Sequence, residues 1–268
     1  MALDIPGLSD AELQRALKQL TSLPKHEQIE LNRMLVDLEK VKSIEKSQDT
    51  FLDFVNHVYP GYKVGNHHAR LAKIFEDIAN GKKKRVIVNI APRHGKSELI
   101  SYLAPAWFLG KHPDKKVIMA SHTADLAVNF GRRVRNLVGS DSYKEIFPDV
   151  ELQSDSKSAS RWGTNYQGEY FAIGVGGALA GRGADLFIID DPHSEQDAKL
   201  GKPEVFLPAW EWFQSGPIQR LMPGGAIIVV MTRWSKLDLT GQIVNQMVKN
   251  DDVDDWEIVE FPAIIEDK

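Results

Sequence analysis

Runs of consecutive apolar residues alternate along this chain with segments in which apolar residues recur every three or four positions. The apolar runs are rich in β-branched residues and too short for helices; they occupy residues 86–90, 117–120, 186–189, 226–231 and 256–261. The helical segments cover residues 51–58, 66–78, 96–109, 124–138 and 203–214. Continuous apolar strands that alternate with helices are typical of a parallel sheet covered on both faces. We therefore expect an α/β fold.

The first 48 residues follow a different pattern, which predicts two helices. Ser9 and Glu12 form a capping box ahead of Leu13, Leu17 and Leu20, which share one helical stripe. A second periodic run follows Pro24, with apolar residues interleaved with Lys and Glu. We therefore divide the chain into an N-terminal helical extension, residues 1–48, and a main domain, residues 49–268. The pattern leaves open whether this extension docks on another molecule or caps the main domain.

A Gly- and Ser-rich stretch lies between Gln153 and Gly183 and contains four aromatic residues. We expect it to form an antiparallel hairpin or an edge strand.

Composition narrows the class of protein. The 268 residues include 33 Lys and Arg against 37 Asp and Glu, which gives a net charge of −4, and there is no Cys. The absence of Cys excludes disulfides and thiolate zinc sites and favours an intracellular protein. Proteins that coat nucleic acid are usually basic overall, so any contact with a phosphate backbone must come from a local patch. No apolar run is long enough to span a bilayer, and we expect no membrane partner.

The strongest chemical signal is a phosphate-binding loop between the first apolar strand and a helix. Such a loop needs backbone N–H groups at a helix N-terminus, a Lys for the β- and γ-phosphates and a hydroxyl for Mg²⁺. Gly95, Lys96 and Ser97 supply the last three positions, although Ile90 stands where the first glycine of the usual motif would fall. The candidate nucleotide-binding residues of this segment are Pro92, Arg93, His94, Gly95, Lys96, Ser97 and Glu98.

Two further strands end in polar residues. Asp190 and Asp191 follow residues 186–189, at the sheet edge where open α/β sheets bind ligands. Asp190 is a candidate Mg²⁺ ligand together with Ser97, and Asp191 would orient or deprotonate the attacking water. Thr232 or Arg233, at the end of the strand over residues 226–231, could sense the γ-phosphate.

The segments PRHGKSE, GRGADLFIIDDP and VVMTRW, in this order, resemble the ATPase domain of bacteriophage terminase large subunits, the motors that pump DNA into capsids. The resemblance covers about residues 66–240. It implies a P-loop NTPase fold of the additional-strand, RecA-like type, with ATP and Mg²⁺ as cofactors. The implied partners are double-stranded DNA, the portal protein and the small terminase subunit. The chain would be a monomer alone and a homo-oligomeric ring on the procapsid, in the host cytoplasm.

The same resemblance assigns roles to individual residues. Lys96 and Ser97 match the phosphate and Mg²⁺ positions, Asp190 matches the metal-binding aspartate, and Thr232 matches the motif that couples hydrolysis to movement. Asp191 stands where most members have a glutamate as the catalytic base, and Glu195 is the alternative base.

Arg182 matches the arginine that such motors insert into a neighbouring subunit's site. Arg93 is the competing candidate, and a salt bridge between Arg182 and Asp185 is the structural alternative.

Members of this family usually carry an adenine-binding glutamine upstream of the first strand. The corresponding stretch here contains Asn66, His67 and His68 but no Gln. One of these residues would bind the base, or the stretch would simply begin a helix. Adjacent histidines on a helix point about 100° apart, so we expect no zinc site there.

Charged clusters offer weaker signals. The run 82–85 and the residues Arg132, Arg133 and Arg135 are candidate DNA contacts, with solvated surface as the alternative. The acidic residues between Asp251 and Asp255 are expected to form a solvated turn rather than a nuclease site.

These residues favour ATP hydrolysis that drives translocation of double-stranded viral DNA into a procapsid. The alternatives are another helicase-like, nucleic-acid-stimulated ATPase and an assembly module that binds ATP without turnover. The chain ends soon after the strand over residues 256–261, so we expect the nuclease domain of the family to be absent from it.

Overall fold

The computed structural model describes residues 23–155, 158–200, 202–250 and 254–262 of the chain. The chain divides into two compact units after Lys46. The helix predicted after Pro24 is present as α1 (Lys25–Asp49). Several of its apolar side chains, including Ile29, Met34 and Val41, are exposed. The helix predicted around Leu13 and Leu17 lies outside the described residues.

The second unit is built on a seven-stranded sheet. In chain order its strands are β1 (Arg85–Ile90), β2 (Lys116–Ser121), β3 (Arg161–Gly163), β4 (Glu169–Gly174), β5 (Ala184–Asp190), β6 (Leu221–Met231) and β7 (Glu257–Phe261). The spatial order is β3-β4-β2-β5-β6-β1-β7. Every neighbouring pair is parallel except β3 and β4. The predicted strands and the antiparallel edge strand are therefore confirmed.

β6 lies between β1, which leads into the phosphate loop, and β5, which ends at Asp190. An extra strand between these two is the defining feature of the additional-strand, RecA-like P-loop NTPases. The expected fold class is therefore confirmed.

Helices cover both faces of the sheet. The α-helices of this unit are α2 (Phe51–Val58), α3 (Asn66–Ala79), α4 (Ala104–Lys111), α5 (Ala124–Val138), α6 (Asp141–Ile146), α7 (Glu195–Leu200), α8 (Leu207–Ser215) and α9 (Leu239–Lys249). Along β1, Val86 and Val88 join a core with α2 to α6, whereas Ile87 joins a second core with α8 and α9. This alternation of buried side chains explains why the strand is apolar without interruption.

Two helical predictions need correction, and three helices were not predicted. The segment predicted as one helix over residues 96–109 starts as a π-helical turn, Glu98–Leu103, before α4. The segment predicted over residues 203–214 starts as a 3₁₀ turn, Pro203–Phe206, before α8. The helices α6, α7 and α9 were not predicted. The helices α6 and α7 are six residues each, too short to show a clear apolar period.

No helix within the described ranges is both long enough and apolar enough to span a membrane. The strands β1, β5 and β6 run in the same direction, so Ile90, Asp190 and Met231 end at one edge of the sheet. This edge carries the candidate site.

Candidate active site

The loop between β1 and the π-helical turn has a tightly wound backbone. Arg93 and Gly95 adopt φ angles of +64° and +74°. A Cβ atom on Gly95 would lie 2.5 Å from Nε2 of His68, so both the backbone angle and the packing require glycine. Lys96, which follows, is almost fully buried.

Histidines from α3 hold this loop in place. His68 accepts a hydrogen bond from the Gly65 N–H at Nδ1 (3.0 Å) and donates from Nε2 to the His94 carbonyl (3.0 Å). His67 Nε2 lies 3.2 Å from the same carbonyl oxygen. Burial lowers the pKa of His68, and so does the neighbouring His67. His68 is therefore neutral, carries its proton on Nε2 and holds the loop through the His94 carbonyl.

Both carboxylate oxygens of Asp191, the residue that follows β5, have a partner. Its Oδ2 lies 2.8 Å from Lys96 Nζ, and its Oδ1 accepts a hydrogen bond from the Thr232 N–H (2.9 Å). Its own N–H donates to the Val230 carbonyl, and its φ angle is +41°. A left-handed conformation is uncommon outside glycine and carries strain, which is frequent at functional sites. The segments that follow β1, β5 and β6 therefore meet at one carboxylate.

Asp190 lies beside this pair and is only 2% exposed. Its Oδ2 accepts a hydrogen bond from Ser101 (2.8 Å), while Oδ1 is buried without a hydrogen-bond partner among the described residues. Burial, together with the charge of Asp191, raises the pKa of Asp190 to about 6, although nearby Ser97, Lys96 and Ser101 favour the ionised form. A buried oxygen without a partner next to a hydroxyl suits a hard cation such as Mg²⁺, which prefers oxygen ligands.

A cavity of about 420 Å³ adjoins the loop. Its lining includes Asn66, His67, Arg70, His94 and Phe261. The Arg70 guanidinium carbon lies 5.4 Å from the centroid of the Phe261 ring, and the His67 ring meets the same phenyl edge-on at 6.4 Å. The flat aromatic and guanidinium surfaces suit a planar base. Of the upstream candidates, Asn66 and His67 line this cavity, whereas His68 contacts the loop backbone.

Sequence reasoning missed Arg70 and Phe261. Phe261 enters the site because β7 pairs with β1 in parallel register, with Phe261 opposite Ile90. The sequence does not state that pairing.

The segment after β6 is tied to the same edge. The Thr232 hydroxyl donates to the Ile90 carbonyl at 3.4 Å, so this residue touches both the loop strand and Asp191. Arg233 is bound at Nε by the fully buried Asp238 (3.0 Å), which also accepts from the Trp234 N–H. Sequence reasoning also missed Asp238. This residue caps α9 by accepting a hydrogen bond from the Gly241 N–H, and an Asp just before a helix is the signal that could have identified it.

The remaining predicted residues lie further out. Arg93 is an exposed residue of the loop, and Glu98 binds Arg133 of α5. Glu195 is exposed at the start of α7 and forms an ion pair with Lys199 (2.7 Å). Arg182 lies just before the N-terminal end of β5, whereas Asp190 is the last residue of that strand. Arg182 pairs with Glu169.

The alternative partner suggested for Arg182, Asp185, instead pairs with Lys115.

The candidate DNA contacts are mostly engaged in ion pairs or hydrogen bonds. Lys83 pairs with Glu257, and Arg85 with Asp254, the latter from the acidic cluster near the C-terminus. Residues 251–253 of that cluster lie outside the described residues. Arg133 is stacked on Tyr102 as well as bound to Glu98.

A comparison with known protein families finds similarity over part of the chain. A family model described as "Terminase large subunit, T4likevirus-type, N-terminal" matches residues 87–201. The sequence matches no curated protein significantly.

Among solved structures, the large terminase of bacteriophage HK97 is similar, with a TM-score of 0.54 at 15% identity over 82% of this chain. That similarity shows a shared fold, and this chain spans 45% of the HK97 protein.

Two other structures are less similar. One is the large terminase ATPase domain of a Thermus phage, as an arginine-to-alanine mutant (TM-score 0.44, 19% identity, 67% of this chain and 69% of that one). The other is the large terminase of a thermophilic bacteriophage in complex with ATP-gamma-S (TM-score 0.40, 10% identity, 81% and 44%).

Proposed function

We propose that this chain is part of the N-terminal domain of a terminase large subunit, the family whose model matches residues 87–201, and that it hydrolyses ATP to drive double-stranded viral DNA into a procapsid. The observation that carries this proposal is the convergence of Lys96, Asp190 and Asp191 at one edge of the sheet. A buried lysine, a buried carboxylate and a second carboxylate at such a point are the parts that phosphoryl transfer requires.

Each residue has a distinct task in this proposal. The loop N–H groups and Lys96 bind the phosphates, and the cavity beside Phe261 takes the base. Ser97 and Asp190 would hold Mg²⁺, which neutralises phosphate charge when bound. Asp191 is the base that takes a proton from the attacking water, with Glu195 as the alternative. Thr232 links Asp191 to the loop strand, so it can transmit the state of the site.

Arg182 is proposed to act on a neighbouring subunit. β5 is seven residues long, which at about 3.3 Å per residue puts roughly 20 Å between Asp190 and the start of the strand. An arginine side chain cannot span that distance, so Arg182 can complete a nucleotide site only in a second copy of the chain. Arg93, which lies in the loop itself, is the alternative within one chain.

We also propose the partners of this motor. They are the DNA, the portal protein and the small terminase subunit, with a homo-oligomeric ring on the procapsid and a monomer away from it, in the host cytoplasm.

The proposal is tested by measuring ATP binding by calorimetry and phosphate release at increasing protein concentration with Mg²⁺. Lys96→Ala should lower phosphate release by about 10²-fold or more, as expected for loss of a group that stabilises transition-state charge. Lys115→Ala is the matched control, because Lys115 pairs with Asp185 at the opposite sheet edge. Unchanged release in Lys96→Ala would refute the site. ATP binding without release at every concentration would favour the assembly module instead.

A further inference from the structure

Two contacts restrain the side chain of Arg182. Its Nη1 donates to Oε1 of Glu169 at 3.0 Å, and its guanidinium carbon lies 3.7 Å from the centroid of the Phe171 ring. The side chain is 27% exposed. One face of the guanidinium is therefore covered by a phenyl ring and one edge is bonded, while part of the group faces solvent.

Glu169 serves two arginines at once. Arg161 donates to its two carboxylate oxygens from Nε and Nη2, both at 3.1 Å. Two guanidinium groups share one carboxylate, so the three residues together carry one positive charge. A local excess of positive charge on an exposed surface attracts an anion such as a triphosphate.

Holding an arginine in one rotamer matters because a free arginine loses considerable rotamer entropy when it binds an anion. Stacking on an aromatic face and a charge-assisted hydrogen bond both restrict that freedom in advance. Glu169 and Phe171 lie on β4 and are separated by one residue, so their side chains emerge from the same face of the sheet.

We propose that Glu169 and Phe171 are positioning residues that hold Arg182 ready to enter the nucleotide site of a second copy of the chain. This inference rests on the proposed function, in which Arg182 acts between subunits. Because Arg182 and the Lys96 site lie at opposite edges of the sheet, the contact is head-to-tail, the type that closes into a ring.

The experiment mixes two inactive variants. Lys96→Ala lacks a working site but still provides Arg182; it is the donor. Arg182→Ala keeps a working site but lacks the arginine; it is the acceptor. Mixing the two at assembling concentrations should restore ATP hydrolysis, because donor arginines complete acceptor sites.

The positioning residues are then changed in one partner at a time. Glu169→Gln in the donor should lower the restored kcat about fivefold, the effect of losing one charge-assisted hydrogen bond, with KM for ATP unchanged. Phe171→Leu in the donor should lower it in the same direction. Either change in the acceptor should have no effect, which controls for folding because the same substitution is present.

Asp185→Asn in the donor is a matched control. Asp185 is a largely buried carboxylate at the same sheet edge that binds Lys115 and the Lys116 N–H rather than Arg182. It should leave the restored activity unchanged.

The outcomes separate the two hypotheses. If the donor and acceptor restore no activity, the intersubunit role of Arg182 is wrong and the inference falls with it. If activity is restored but Glu169→Gln and Phe171→Leu leave it unchanged in the donor, or lower it equally in the acceptor, the intersubunit role stands and the positioning role is refuted.

Discussion

Lys96 Nζ lies 2.8 Å from Asp191 Oδ2, so the lysine that should bind phosphate is paired with the carboxylate that should activate water. The lysine is 8% exposed at its side chain and the carboxylate 32%. In the proposed function, ATP must therefore compete with Asp191 for Lys96. When phosphate takes the lysine, Asp191 loses one of its two partners and keeps the Thr232 N–H. This exchange would free the base only when substrate is present.

Asp191→Asn separates binding from catalysis. Without the ion pair, Lys96 is available to phosphate, so the Kd for ATP should fall about threefold, the scale of a partly exposed ion pair. Phosphate release should fall by about 10²-fold or more, because general-base catalysis contributes 10²–10⁴-fold. Calorimetry and a phosphate-release assay on the same protein measure both effects.

Two further variants control this result. Asp191→Glu should retain measurable hydrolysis because it keeps a carboxylate. Glu195→Gln should leave hydrolysis unchanged, because Glu195 is an exposed residue whose pKa is lowered by its bond to Lys199. Loss of activity in Glu195→Gln with activity kept in Asp191→Asn would reverse the assignment of the base.

Gly95→Ala should remove nucleotide binding by distorting the loop. The new Cβ would meet His68 Nε2 at 2.5 Å, and both nitrogens of that ring are already hydrogen-bonded, so the ring cannot move aside cheaply. We expect the Kd for ATP to rise more than about tenfold and stability to fall by about 2 kcal/mol. Calorimetry and urea unfolding measure the two quantities.

Gly81→Ala is the matched control. Gly81 has a φ angle of +73°, close to that of Gly95, but a Cβ there would have no neighbour within 4 Å. Its cost should be the backbone term alone, about 1 kcal/mol, with ATP affinity unchanged. Equal ATP affinities in the two variants would show that the contact with His68 is unimportant.

The sequence predicts the sheet well because its strands are buried on both faces. β1 and β5 lose their alternation when helices cover both sides, so each stands out as an apolar run. The positions of Lys96 and Asp190 follow from the strand ends, because parallel strands deliver their C-terminal residues to one edge.

Contacts between distant segments could not be predicted in this way. The bond from His68 to the His94 carbonyl joins residues 26 positions apart. Arg182 pairs with Glu169 rather than with Asp185, which is nearer in sequence. The strands β4 and β5 lie on either side of β2, and both begin at the same edge of the sheet. Such pairings depend on strand order, which a single sequence does not reveal.

The local geometry of a helix also could not be predicted from the pattern of apolar residues. The π-helical turn Glu98–Leu103 has buried residues at Leu99, Ile100 and Leu103. That spacing equally suits an ordinary helix, so the sequence alone gave no sign of the wider turn.

Phe261→Ala tests the proposed base pocket. Stacking of a base on an aromatic ring is worth about 1–3 kcal/mol, so the Kd for ATP should rise about tenfold. Inorganic tripolyphosphate has no base, and its Kd should not change. Ile258→Ala, a substitution of a partly exposed residue on the same strand, should affect neither ligand. An equal loss for ATP and tripolyphosphate would mean that Phe261 supports the loop rather than the base.

Asp190→Asn should stabilise the metal-free protein at neutral and alkaline pH. The pKa of Asp190 is about 6 in the folded protein, against about 3.9 in an unfolded chain. The folded state therefore binds more protons between these values, and its stability falls as the pH rises from about 4 to about 6. Above pH 6 the ionised carboxylate is buried at a cost that Asn does not incur. The gain should be about 3 kcal/mol at pH 8 and should vanish near pH 4.

Urea unfolding in EDTA at several pH values measures this difference. Ser101→Ala should instead lower the stability of the protein, because it removes the hydrogen bond that Ser101 donates to the Asp190 carboxylate. Its destabilisation should be larger at pH 8, where the carboxylate is ionised, than at pH 4, since hydrogen bonds to charged groups are the stronger ones. A stability difference for Asp190→Asn that stays constant with pH, or that disfavours Asn at pH 8, would mean that Asp190 is not kept at an energetic cost for cation binding.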